Sequence, residues 1–358
     1  MTDLDQRITD ALRERAEGAV DTRRLTARAV AGGRARRRRR RMGAGVALGL
    51  TAVLGLGTLA GLPGSGRGTV LPGLPGAGPK QVAPGVVAAP PRVAGVAGAA
   101  TRPDLVGTDP GLLHFGVDPV RARLLTWRTG RGVEGGRLEL PGGRVVAVDL
   151  GTEVAAVEDS AHDGMAYPAR PATAADFDGR VRQVPPGGPG GQPGWFLRWQ
   201  PVPGLYARVH TVATDDADLR EAVAALRLDE AHRCASPLRL TALPPAARLA
   251  TCEVNVIGFP GSLDVRLTVS RSPDQQLEVR LEYRSGIAGS RTEGNRTING
   301  RAAYLYPQGG ELELLGLEKA HLVARFGWPY EGFTDDDAAT VLGGAVVATD
   351  LTRPETWN

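Results

Sequence analysis

The stretch LDVRLTVSRSPDQQLEVRLEY, residues 263–283, decides the fold. Leu263, Val265, Leu267 and Val269 alternate with polar residues such as Asp264 and Arg266. After SRSPDQQ the pattern resumes as Leu277, Val279, Leu281 and Tyr283, set between Glu278 and Arg280. Successive strand side chains point to opposite faces, so this period of two predicts antiparallel strands with one face on a core and one in water. Upstream, Leu138–Leu140, the turn Pro141-Gly142-Gly143 and Val145–Leu150 read as a further hairpin.

Around these strands a longer pattern repeats. Gly179-Arg180-Val181 is followed by Trp195–Trp199, then Leu205-Tyr206-Ala207-Arg208-Val209, then Thr214-Asp215-Asp216 and a helical stretch over Leu219–Leu226. Gly300-Arg301-Ala302 is followed by Glu311–Leu315, then Leu322-Val323-Ala324-Arg325-Phe326, then Thr334-Asp335-Asp336 and a helical stretch over Ala338–Val347. The glycine-to-threonine interval is 35 residues in the first case and 34 in the second. The expected fold class is α+β: two related antiparallel β-meander modules, 104–230 and 231–358, each closed by a C-terminal helix. Thr214 or Asp215, and Thr334 or Asp335, are the expected N-caps, their acids favouring the positive helix end.

Cys234 and Cys252 are the only cysteines, with seventeen residues between them. Outside the cytoplasm such a pair is expected to oxidise, contributing roughly 3 kcal/mol by restricting the unfolded chain. No paired histidine spacing accompanies them, so neither a zinc site nor another metal or cofactor is expected. Glu158, Asp159, Ser160, His162 and Asp163 crowd ionisable groups into one segment, but neighbours in sequence do not make a triad. The segment reads as a solvated loop. His114, His210, His232 and His321 are scattered and read as structural, Trp195, Trp199 and Trp328 as core packing. No catalytic constellation emerges, and the chain is read as a non-enzyme.

The N-terminal third differs. Residues 1–41 hold thirteen arginines against six acids, a charge of +7, in a chain whose formal charge is +4. The remainder therefore carries −3, which excludes a nucleic-acid binder with basic charge spread over a folded surface. Met42–Leu62 contains no charged residue over twenty-one positions, enough for a helix of roughly 30 Å, the thickness of a bilayer core. Arg34, Arg36, Arg37, Arg38, Arg39, Arg40 and Arg41 precede it, so the N-terminus is expected in the cytoplasm and the bulk of the chain outside. A cleaved signal peptide is the rival reading, with Thr58-Leu59-Ala60 as its cleavage site, although a 41-residue leading region is too long for one. Gly45-x-x-x-Gly49 and Gly57-x-x-x-Gly61 have the spacing that lets two such helices meet, so a homodimer is an open expectation. Residues 63–103, with eight prolines and no Asp or Glu, read as a semi-extended spacer. In the tail, Leu4, Ile8 and Leu12 form an i, i+4, i+8 stripe that suggests a short helix contacting a cytoplasmic protein. The alternative is a tail whose arginines only set orientation and touch anionic lipid.

The helical tail, the Arg36–Arg41 block, the Met42–Leu62 run and the Pro/Gly/Ala spacer together resemble actinobacterial single-pass membrane proteins of the anti-sigma-factor type. The resemblance implies a plasma-membrane regulator whose outer modules sense an envelope ligand and whose tail meets a sigma factor or another regulator. The tail departs from that family in lacking the histidine and two cysteines of its zinc-binding motif, which sets direct sigma inhibition in question. The competing expectations are an anchored envelope binding or scaffold protein without signalling, and an extracytoplasmic enzyme.

Overall fold

The structure, a computed structural model, describes residues 87–159, 172–185, 192–213, 215–287 and 291–357. In chain order the strands are β1 (Leu112–Leu113), β2 (Gly116–Val117), β3 (Arg123–Gly130), β4 (Val133–Leu140), β5 (Arg144–Gly151), β6 (Asp178–Val184), β7 (Gly194–Val202), β8 (Leu205–Val212), β9 (Leu226–Arg227) and β10 (His232–Arg233). There follow β11 (Leu238–Leu240), β12 (Arg248–Asn255), β13 (Ser262–Ser272), β14 (Gln275–Arg284), β15 (Arg296–Ile298), β16 (Arg301–Leu305), β17 (Glu311–Leu314), β18 (Ala320–Arg325) and β19 (Ala345–Val347). Among the described residues three short helices, α1 (Val154–Asp159), α2 (Ala217–Ala225) and α3 (Asp335–Gly343), accompany the strands together with single 3-10 turns.

The alternating stretch forms the hairpin β13–β14, with Leu263 opposite Tyr283 and Leu267 opposite Val279. The hairpin around Pro141 forms β4–β5. These strands do not belong to separate modules. Thirteen strands make one sheet in the order β15-β16-β17-β18-β14-β13-β12-β3-β4-β5-β8-β7-β6. At its middle, β12 and β3 pair antiparallel, from Thr251 opposite Gly130 to Asn255 opposite Thr126. The expectation of an α+β chain with two β-meander modules, each closed by a helix, is therefore overturned; the described residues are mostly β. The physical reason is the strand edge. Two separate sheets would each leave a row of N–H and C=O groups on β3 and on β12, and pairing them satisfies both. Both helical stretches begin and end earlier than expected: Leu226 and Ala345–Val347 are extended.

One face of the sheet carries the core. Trp127, Leu138, Val148, Leu150 and Val209 lie there on one side of the β3–β12 seam, and Val254, Val265, Leu267, Val279 and Leu322 on the other. Each such side chain, fully buried, contributes about 1.5–3 kcal/mol. Leu219, Ala222 and Ala225 of α2 and Ala338, Val341 and Leu342 of α3 cover this face, as do Ala88 and Ala99, within the range read as a spacer. The Cys234–Cys252 disulfide ties the covering layer to β12. Beside it the Trp127 indole Nε1–H donates to the Cys234 carbonyl at 3.0 Å.

No helix among the described residues is long and apolar enough to cross a membrane. Met42–Leu62, the arginines Arg34 and Arg36–Arg41, and the stripe Leu4, Ile8 and Leu12 all lie outside the described residues.

Candidate ligand pocket and charged face

A pocket of about 630 Å³ opens at the end of the sheet where β3 begins and β4 finishes. Its floor is Leu124, Leu140 and Ala122, its near wall the turn Pro141-Gly142-Gly143 and its far wall the strap Val87–Pro90. Backbone bonds hold the strap in place: Val93 N–H donates to the Ala231 carbonyl and Arg233 N–H to the Pro91 carbonyl, both at 2.8 Å. The His232 ring sits between the Pro90 carbonyl, 2.9 Å from Nδ1, and the Glu230 carboxylate, 3.1 Å from Nε2. Gly116 has no side chain to displace that ring, which a Cβ there would strike. At the mouth stand Val120, 87% exposed, and Val87, 51% exposed. Arg123 and Glu139 pair at the rim. An apolar hollow of this size with a few polar groups at its edge is the usual form of a ligand site.

The opposite face of the sheet is polar. Across the strands one row runs Tyr304, Glu313, Val323, Arg280, Arg266, Glu253, Arg128, Gly135, Asp149, Arg208 and Arg198. A cleft of about 270 Å³ over the seam is lined by Arg128, Asp149, His210, Glu253 and Asn255. Asp149 accepts from Arg128 and from Arg208, each at 2.7 Å. Gly135 makes the first contact possible. A Cβ there would lie 2.7 Å from the Asp149 carboxylate, in the path Arg128 takes over β4. Burial pushes the Asp149 carboxyl up, but the Arg208 and Arg128 guanidiniums outweigh it and hold the pKa below its ordinary value. Glu158 on α1 accepts from Arg198 Nε at 2.8 Å and lies 3.5 Å from Arg208.

Of the residues singled out in sequence, Cys234 and Cys252 are brought together. Glu158 corrects its reading as part of a solvated loop: it sits on a helix and enters the buried ion network, while 160–163 lie outside the described residues. His114 is buried against Glu134, its Nδ1 at 2.6 Å, and pins the loop before β2 to β4. Trp195 and Trp199 pack on the core, whereas Trp328 is exposed and not a core residue. Asp149, Arg208 and Arg128 escaped sequence reading. Their one signal is the charge inside otherwise apolar strands, as in Val148-Asp149-Leu150. Among the described residues, no group of three or more His, Cys, Asp or Glu side chains could hold a metal ion.

No protein-family model matches the chain, and no curated protein matches it. Among solved structures, the crystal structure of MucB in complex with MucA(peri) is similar at 13% identity, over 62% of this chain and 91% of that one, with a TM-score of 0.20. The MucA/MucB complex of Pseudomonas aeruginosa is similar at 13% identity, over 63% of this chain and 92% of that one, with a TM-score of 0.18. Likeness at this score carries no residue role over to this chain.

Proposed function

We propose that the chain is a regulatory binding protein of the cell envelope, held at the plasma membrane by its N-terminal region with residues 104–358 outside. In this reading the 630 Å³ pocket takes an envelope ligand or partner. The tail carrying Leu4, Ile8 and Leu12 meets a sigma factor or another cytoplasmic regulator. The observation that supports it best is the pocket's wall. The strap Val87–Pro90 lines the pocket and precedes every strand of the sheet in the chain. A ligand in the pocket would touch that strap, which backbone bonds of Pro91 and Val93 join to the strand His232–Arg233 and to Ala231. The disulfide supports an oxidising compartment for the sheet, and the charge asymmetry of the chain supports an inward-facing N-terminus.

Transcript profiling of three strains tests it: wild type, a deletion, and Val120→Glu, which puts a charge at the mouth of the pocket on an exposed residue. The deletion and Val120→Glu should alter the same set of transcripts. A deletion that leaves transcripts unchanged defeats the regulatory reading. A Val120→Glu strain indistinguishable from wild type removes the pocket from it. A chain whose first 33 residues are replaced by unrelated sequence should behave as the deletion; if it behaves as wild type, the tail has no partner.

A further inference from the structure

The other end of β3 holds a second cavity, of about 490 Å³, with a different chemistry. Seven residue steps of strand separate the two, roughly 23 Å at about 3.3 Å per residue. Its lining includes Arg131, Arg248, Thr108, Ser270, Ser272 and Gln276, and no Asp or Glu. Several arginines elsewhere on the sheet meet carboxylates, as Arg123 meets Glu139 and Arg280 meets Asp264. Here, among the described residues, neither Arg131 nor Arg248 pairs with one; Arg131 donates only to the Gln276 amide oxygen, at 3.2 Å.

Two features of the backbone are built around this hollow. Arg131 and Gly132 form the two-residue turn between β3 and β4, and both have positive φ, 58° and 77°. Such turns favour Asn or Gly at the first position, and an arginine there is held against its conformational preference. Residues kept in such a region cluster at functional sites. Register shifts between Leu249 and Thr251 on β12, and between Ser270 and Ser272 on β13, fall beside the same cavity. Bulges of this kind often flank sites because they re-aim side chains.

The geometry points to an oxyanion site: this cavity binds the phosphate or carboxylate group of a small ligand, between the Arg131 and Arg248 guanidiniums, with the Ser272 hydroxyl beside them, since those of Thr108 and Ser270 already donate to the Leu105 and Ser272 carbonyls. Guanidinium forks match both groups with paired, charge-assisted hydrogen bonds. The hollow is several times larger than a bare inorganic ion, so the anionic group is one end of a larger molecule. The site is distinct from the apolar pocket and does not depend on the function proposed for it.

The test is calorimetric titration of the full-length protein in detergent with inorganic pyrophosphate and, separately, with citrate, at constant ionic strength. At least one probe should bind saturably. Arg131→Asn and Arg248→Gln should each weaken it roughly tenfold or more. Asn suits the turn, so Arg131→Asn should keep or raise the thermal midpoint, which separates lost binding from lost folding. Val120→Glu should bind as wild type. Tighter pyrophosphate binding assigns a phosphate ligand, tighter citrate binding a carboxylate one. Absence of binding by either probe overturns the site, as does a double variant that binds as well as wild type.

Discussion

Among the described residues the string L-x-A-R occurs twice, with opposite results. In Leu205-Tyr206-Ala207-Arg208 the alanine faces the core opposite Leu150, and the arginine lies opposite Asp149 on β5. In Leu322-Val323-Ala324-Arg325 the alanine faces the core opposite Val279, and the arginine lies opposite Glu278 on β14. The Arg208 side chain is 0% exposed and contacts its carboxylate at 2.7 Å; that of Arg325 is 40% exposed and stands 3.6 Å away. Over the first pair sits α1 with Glu158, and Gly135 admits Arg128 across β4 on the same face. Over the second, Glu278 takes its close contact from the Tyr330 hydroxyl instead, at 2.9 Å. The lesson is that the pair's chemistry does not set its worth; the water left around it does. A buried ion pair is costly to break from one side, whereas an exposed one contributes about 0–1 kcal/mol.

The hardest test of that contrast is removal of each carboxylate. Asp149→Ala leaves Arg208 and Arg128 without their shared partner and should cost roughly 3–5 kcal/mol in urea unfolding. Glu278→Ala should cost about 1 kcal/mol, since its partners reach water. Equal losses would break the comparison. Next comes Gly135→Ala, whose methyl would meet the Val148 carbonyl at 2.6 Å and displace Arg128. It should cost about 2 kcal/mol. Arg266→Ala, in the same row across the seam, should stay within about 1 kcal/mol.

Acid unfolding sharpens the point. The folded Asp149 has a lowered pKa, so the unfolded chain takes up its proton first as pH falls. Its contribution is complete above about pH 5 and is lost as pH drops below about 4. Stability of wild type should fall steeply there and that of Asp149→Asn less so; matching slopes would count against the assignment. The smallest effect concerns the helix starts. Thr334 caps α3 with a reciprocal box to Asp337, whereas Asp216 begins α2 without a side-chain capping bond. Thr334→Ala should cost about 1 kcal/mol and Asp216→Ala a few tenths, read as thermal midpoints.

Much of the local structure was legible because it is written at short range. Alternation marks β13 and β14, the Pro141-Gly142-Gly143 turn marks β4–β5, and Thr334 is the N-cap of α3. Of the matching trio, Thr214 lies outside the described residues, Asp216 holds the cap position, and Asp215 Oδ1 accepts from the Ala217 N–H at 3.0 Å. What could not be read is the pairing of β3 with β12, strands more than a hundred residues apart, because no local pattern specifies a distant partner or its register. Misreading that seam divided one sheet into two modules. The candidate sites share this origin. The apolar pocket joins residues near 88, 120, 140 and 232, and the oxyanion cavity joins Arg131 to Arg248 and Ser270. Glu158 was misassigned for the same reason: its partners Arg198 and Arg208 are forty or more residues away.

The hydrogen bond from Trp127 to the Cys234 carbonyl gives the molecule an optical indicator. Disulfides draw electron density from an excited indole beside them, so Trp127 should be dim while the bridge is intact and brighten when it is reduced. The redox state of the fold can then be followed by its own fluorescence, with no label attached.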